Sequence, residues 1–153
     1  MKILRVHVDT SVIGGCLDTE FAQDSNLLIQ AAKDGKLILV LSEVVLDEMK
    51  SAPPEVQSIL KSIPNDAMEI IAQNSEAIDL RDAYLAAKIL TKKSLNDATH
   101  VAMATVARVD AIVSWNFKHI VRLDKIKAFN LINFQNGHGV LQILSPKEVL
   151  FDE

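Results

Sequence analysis

The stretch SLNDATHVAMATVARVDAIVSWNFKHI, Ser94 to Ile120, decides the fold. From Leu95 to Val109 nearly every residue is Ala, Val, Met or Thr, apolar on most faces. The segment is therefore expected as a helix buried against a sheet, with Ser94 as N-cap and Asp97 at N3 of a capping box. Ala111 to Val113 is too short and too apolar for anything but a buried strand, and Ser114-Trp115-Asn116 follows at its C-terminal end. Open α/β sheets bind ligands at such strand ends.

Outward from this stretch the pattern repeats. Ile3 to Val8 is a β-rich run that leads into Asp9-Thr10-Ser11. Gly14-Gly15 breaks the chain, and a helix starting at Asp18 or Thr19 is ended by Gly35 as C-cap. Leu37 to Leu41 reads as a second buried strand, and Ser42 caps a helix that Pro53-Pro54 must end. Pro54 opens a further short helix, closed by Pro64. Met68 to Ala72 is a weaker strand, followed by a helix over Ser75 to Leu90. Asp124 to Phe134 is expected helical, Asn136 to Gly139 a turn, and Val140 to Leu144 a last strand. Ser145-Pro146-Lys147-Glu148 then opens a terminal helix as a second capping box. Strands alternating with helices predict a three-layer α/β/α sandwich around a central, mostly parallel sheet with right-handed crossovers.

With 153 residues, no repeats and no low-complexity linker, one domain spanning 1–153 is expected. An apolar fraction of 49% with only 5% aromatics fits buried parallel strands. The single cysteine, Cys16, excludes an intrachain disulfide framework and any Cys-based zinc site, and points to a reducing cytoplasm. Met1 to Val8 is too short and too charged for a signal peptide, and no apolar run approaches the roughly 20 residues that cross a bilayer, so no membrane association is expected. A net charge of −4 argues against a protein that coats nucleic acid through its overall field. One local exception is the basic segment Lys118, Arg122, Lys125 and Lys127, which either contacts RNA or is an ordinary solvated face.

Asp9, Glu48, Asp97 and Asn116 each sit just after a strand or early in a helix that begins there, so one sheet edge can gather all four. Carboxylate and amide oxygens select hard cations, Mg²⁺ or Mn²⁺. Each residue also has a plainer use: Asp9 as the cap of the next turn, Glu48 on a solvated face, Asp97 in its capping box, Asn116 as a cap of the loop before Phe117. His100 lies on the same helix face as Asp97 and either approaches the site or a substrate phosphate or makes a core hydrogen bond, the commoner case; it is not read as a metal ligand.

The arrangement resembles the PIN-domain ribonucleases, in particular the VapC-like toxins and their free-standing prokaryotic relatives, over nearly the whole chain. The matching pieces are Val8 to Ile13 (VDTSVI), Ser42 to Met49 (SEVVLDEM), Asn96 to Ala102 (NDATHVA) and Ile112 to Asn116 (IVSWN). Carried over, the resemblance makes Asp9, Glu48 and Asp97 acidic metal ligands and puts Asn116 where many members have a fourth Asp. Ser11 and Ser114 fall at its polar supporting positions. It implies Mg²⁺- or Mn²⁺-dependent hydrolysis of RNA phosphodiester bonds, a homodimer and an antitoxin partner. The alternative is a PIN-like module that has lost catalysis and binds RNA or protein. A two-component receiver domain needs adjacent acids after the first strand, and a haloacid-dehalogenase-type phosphatase needs Asp-x-Asp there. Thr10 and Ser11 meet neither requirement.

Overall fold

The computed structural model describes residues 2–149. Five strands form one parallel sheet in the order β3-β2-β1-β4-β5: β1 (Leu4–Val8), β2 (Leu37–Ser42), β3 (Met68–Ile71), β4 (Ala111–Val113) and β5 (Ile143–Leu144). The parallel three-layer architecture read from the alternation is the one observed. β1 and β4 are neighbours whose connections run to opposite sides of the sheet, and at such a switch point the loops diverge and leave a crevice at the strands' C-terminal ends.

Alternation along the strands splits the core in two. Val6, Val8, Leu37, Leu39, Leu41 and Val113 face one layer, made by α1 (Thr10–Gly15), α2 (Ala22–Lys33), α3 (Glu43–Met49) and α4 (Pro54–Lys61). Val40, Ile112 and Ile143 face the other, made by α5 (Ser75–Ala86), α6 (Leu95–Val106) and α7 (Leu123–Gln135). The interior of α6 is buried continuously from Ala98 to Thr105, as its composition requires. His7 is a polar exception on β1. It pairs in register with Val40 and Ile112 and is fully buried beneath α6.

Several boundaries differ from those expected, each for a local reason. Gly14-Gly15 does not break the chain but completes α1, where Val12, Ile13 and Gly15 are buried. A Cβ on Gly15 would lie 2.7 Å from Ser25 Oγ and 2.8 Å from Trp115 Nε1, so this glycine admits the Trp115 Nε1–H to Ser25 Oγ bond of 2.8 Å. Gly35, with φ +77, ends α2 as expected, its N–H reaching Ala32 O and that of Lys36 reaching Ala31 O. Helix α2 starts at Ala22, after a turn in which Asp18 accepts from the Glu20 amide, and α5 stops at Ala86 because Lys88 takes φ +60. β5 is shorter than Val140–Leu144 because the Asn130 side chain binds the Leu141 N–H and C=O in place of a strand partner. The Ser145–Glu148 capping box forms over one 3₁₀ turn, Pro146–Glu148. It does not propagate into the expected terminal helix, because Val149 is already extended, with φ −79 and ψ 118; residues 150–153 lie outside the described residues. No described helix is long and apolar enough to cross a membrane.

Candidate active site

Asp9 leaves β1 at the switch point and is 5% exposed. It occupies the N-cap position of α1, yet its side chain makes no capping bond. Its two oxygens instead accept from Ser11 Oγ at 2.5 Å and Ser114 Oγ at 2.6 Å. Each serine also accepts a backbone N–H from the loop after β4, Ser11 from Trp115 at 3.0 Å and Ser114 from Asn116 at 2.9 Å. The ends of β1 and β4 are thus laced together around one carboxylate. Burial pushes the Asp9 carboxyl above its ordinary range, against the opposing pull of the two serine bonds.

Glu48 is carried by α3, whose start is fixed by the expected cap, Val45 N–H to Ser42 Oγ at 3.1 Å. Its Oε1 accepts from Thr10 Oγ1 at 2.8 Å and lies 3.1 Å from His100 Nε2, while Oε2 accepts from Asn96 Nδ2 at 3.2 Å. Thr10 is the neighbour of Asp9 and Asn96 the neighbour of Asp97, so the second acid is clamped by residues adjoining the other two. Burial pushes the Glu48 carboxyl up, but the bonds from His100, Thr10 and Asn96 outweigh it and hold the group below its usual value. Asp47, on the outer face of α3, is the solvated residue and pairs with Lys50.

The capping box at Ser94–Asp97 does not form. Ser94 makes no side-chain cap, and Asp97 Oδ2 lies 3.0 Å from His119 Nδ1 in the loop after β4. Ser94 Oγ lies 3.4 Å from the same nitrogen. The tertiary partner therefore displaces the local one. Asn116 spends its side-chain oxygen on this loop, accepting from the amides of Lys118 at 3.2 Å and His119 at 2.9 Å. Of the basic segment, Arg122 is paired with Asp124 at 2.6 Å and Lys125 donates to the Ile89 carbonyl. Lys118 and Lys127 are exposed.

Thr10, Asn96 and His119 are members of this site that the sequence reading did not single out, and His100 is tied to Glu48 rather than to the core alone. Adjacency to Asp9 and Asp97 was the available signal for the first two. Among the described residues no three His, Cys, Asp or Glu side chains stand close enough to hold an ion as they are. Each acid has its own partners, Asp9 two hydroxyls, Glu48 a hydroxyl, an amide and an imidazole, and Asp97 an imidazole. The donor set nevertheless fits Mg²⁺ or Mn²⁺: it is all oxygen, and the buried Asp9 carboxylate is hydrogen-bonded by neutral donors, with no cationic side chain paired to it.

A parallel α/β sandwich with a serine-bound aspartate at the switch point of its sheet is the class that the fold defines. The PIN domain profile matches residues 5–118, and the chain belongs to the PIN domain family. No curated protein sequence matches significantly. Among solved structures the fold is similar to that of VapBC2 from Rickettsia felis, determined bound to a DNA fragment from their promoter. That likeness has a TM-score of 0.58 at 17% identity, covering 93% of this chain and 98% of that one. FitAcB from Neisseria gonorrhoeae is similar with a TM-score of 0.60 at 11% identity, covering 94% and 99%.

Proposed function

We propose that the protein is a Mg²⁺- or Mn²⁺-dependent endoribonuclease, the toxin or a toxin-like member of a toxin–antitoxin pair. The observation that carries this reading is the clamp on Glu48 by Thr10 and Asn96, which ties the second acid to the neighbours of the other two. Asp9, Glu48 and Asp97 are the residues to hold the ion, which when bound supplies the positive charge that in-line hydrolysis of a phosphodiester requires. Ser11 and Ser114 fix the Asp9 carboxylate. His119 stands against Asp97, and the exposed Lys118 beside it offers a contact to an RNA phosphate. Asn116 reaches an ion only by releasing one of the two amides its oxygen now accepts.

Further support comes from PIN-domain membership and from the likeness of fold to VapBC2 and FitAcB. An antitoxin or a second copy is the expected occupant of the apolar side chains that α7 exposes, Leu123, Leu131 and Phe134. The second reading, a catalytically weakened RNA-binding or protein-interaction module, is favoured by Asn116, whose engaged amide removes a charge from the edge. RNA cleavage by the purified protein, with and without chelator and beside Asp9→Asn and Asp97→Asn, separates the two. The nuclease reading expects cleavage only with metal and none from folded variants. Cleavage by both variants at the parent rate sinks the site assignment.

A further inference from the structure

Beneath the acidic edge lie two imidazoles with three nitrogens that find no partner among the described residues: both of His7 and Nδ1 of His100, all in residues at most 2% exposed. Buried polar atoms left unpaired are costly and uncommon, so such a group at a functional edge calls for a specific partner. His100 supplies the first half of the account. Its Nε2 faces Glu48 Oε1 at 3.1 Å, and an ionised carboxylate only accepts, so Nε2 carries the hydrogen. A neutral ring of that tautomer has a bare Nδ1 that needs a donor.

His7 supplies the second half. It projects from β1 toward α6, and its ring centre lies 6.1 Å from that of His100 at 46°. Any imidazole carries at least one N–H. The centre-to-centre distance leaves the nearest nitrogens beyond the roughly 3.5 Å of a direct bond, so a link between the two rings needs an intervening water. We propose that His7 and His100 form a buried positioning relay. His7 donates through one internal water to Nδ1 of His100, and this fixes the Nε2–H tautomer that holds Glu48 at the edge. The inference rests on Glu48 being a site carboxylate, and it assigns His7 a part in the site although His7 touches none of the acids. Histidines that orient metal-binding groups are commonly held this way through their other nitrogen.

The tautomers are read directly from long-range nitrogen–proton spectra of the uniformly ¹⁵N-labelled, metal-free protein. The relay expects His100 as the Nε2–H form with a bare Nδ1, and expects His7→Leu to mix or reverse that pattern while His7→Gln, which keeps a donor, preserves more of it. Mn²⁺ affinity by calorimetry is expected to fall about tenfold in His7→Leu and further in His100→Leu, with partial recovery in His100→Gln. A parent spectrum showing Nδ1–H or doubly protonated His100 overturns the relay without any variant, as does an unchanged His100 pattern in folded His7→Leu. If the parent binds no Mn²⁺, the metal site fails and the tautomer signals alone decide the relay.

Discussion

Asp97 and His119, 22 positions apart, meet at 3.0 Å across the mouth of the site, so the loop after β4 contributes an imidazole to the edge built by β1, α3 and α6. Removing that ring leaves Asp97 without its partner. His119→Ala is expected to slow RNA cleavage about ten- to hundredfold with the fold retained, and His119→Asn to lose less. Single-turnover cleavage with circular dichroism as the folding control checks this, and a parent-like rate in His119→Ala removes His119 from the site.

Asn116 organises the same loop through the amides of Lys118 and His119. Asn116→Ala leaves both without that acceptor, at a cost of about 1 kcal/mol, and is expected to lower both cleavage and Mn²⁺ affinity. Asn116→Asp keeps the acceptor and adds a negative charge to the edge, so it is expected to tighten Mn²⁺ binding and leave or raise activity. Calorimetry that finds both variants unchanged in affinity confines Asn116 to loop architecture.

Gly15 makes room for the Trp115–Ser25 bond, and Ser25 in turn donates to the Val12 carbonyl at 2.8 Å. The two nearest contacts that a methyl group would meet are under 3 Å. Gly15→Ala is expected to destabilise by about 1–3 kcal/mol and to move Trp115. Urea unfolding followed by fluorescence of this single tryptophan reports both effects, and an unchanged midpoint and spectrum contradict the packing described.

Burial, aided by the neighbouring His100, lowers the pKa of His7 from 6.5 to about 3. The unfolded chain therefore binds the proton first, and between about 3 and 6.5 stability rises with pH. The contribution is complete above 6.5 and is lost as pH falls through the window, at up to about 1.4 kcal/mol per pH unit. His7→Leu is expected to flatten the dependence by that amount. Urea titrations of both proteins without metal, at pH 4.5 to 7.5, compare the slopes, and parallel curves count against a neutral buried His7.

The apolar runs at Leu37–Leu41 and Ala111–Val113 announced their strands because both faces of a parallel sheet are covered, and the polar residues after them marked the edge. Those positions put Asp9, Glu48, Asp97 and Asn116 near one sheet edge, while their reading as metal ligands rests on the family resemblance. Helix α1 was hidden by two glycines, of which Gly15 packs closely against Trp115 in a tertiary contact that its own segment does not show. Asp97 looked like a local cap because nothing in its own segment announces His119, and loops of that kind carry no periodicity from which a partner can be read. His7 read as one more position of a β-run, since a buried imidazole on a sheet face leaves no local pattern.

The central claim, that Asp9, Glu48 and Asp97 form one metal-dependent ribonuclease site, is tested most directly by the initial rate of RNA cleavage as a function of Mn²⁺ for the parent and Glu48→Gln. The account predicts no cleavage in chelator, a saturable rise with Mn²⁺ in the parent, and a curve shifted at least about tenfold to higher Mn²⁺ in Glu48→Gln. Metal-independent cleavage, or superimposable curves for the two proteins, would contradict it.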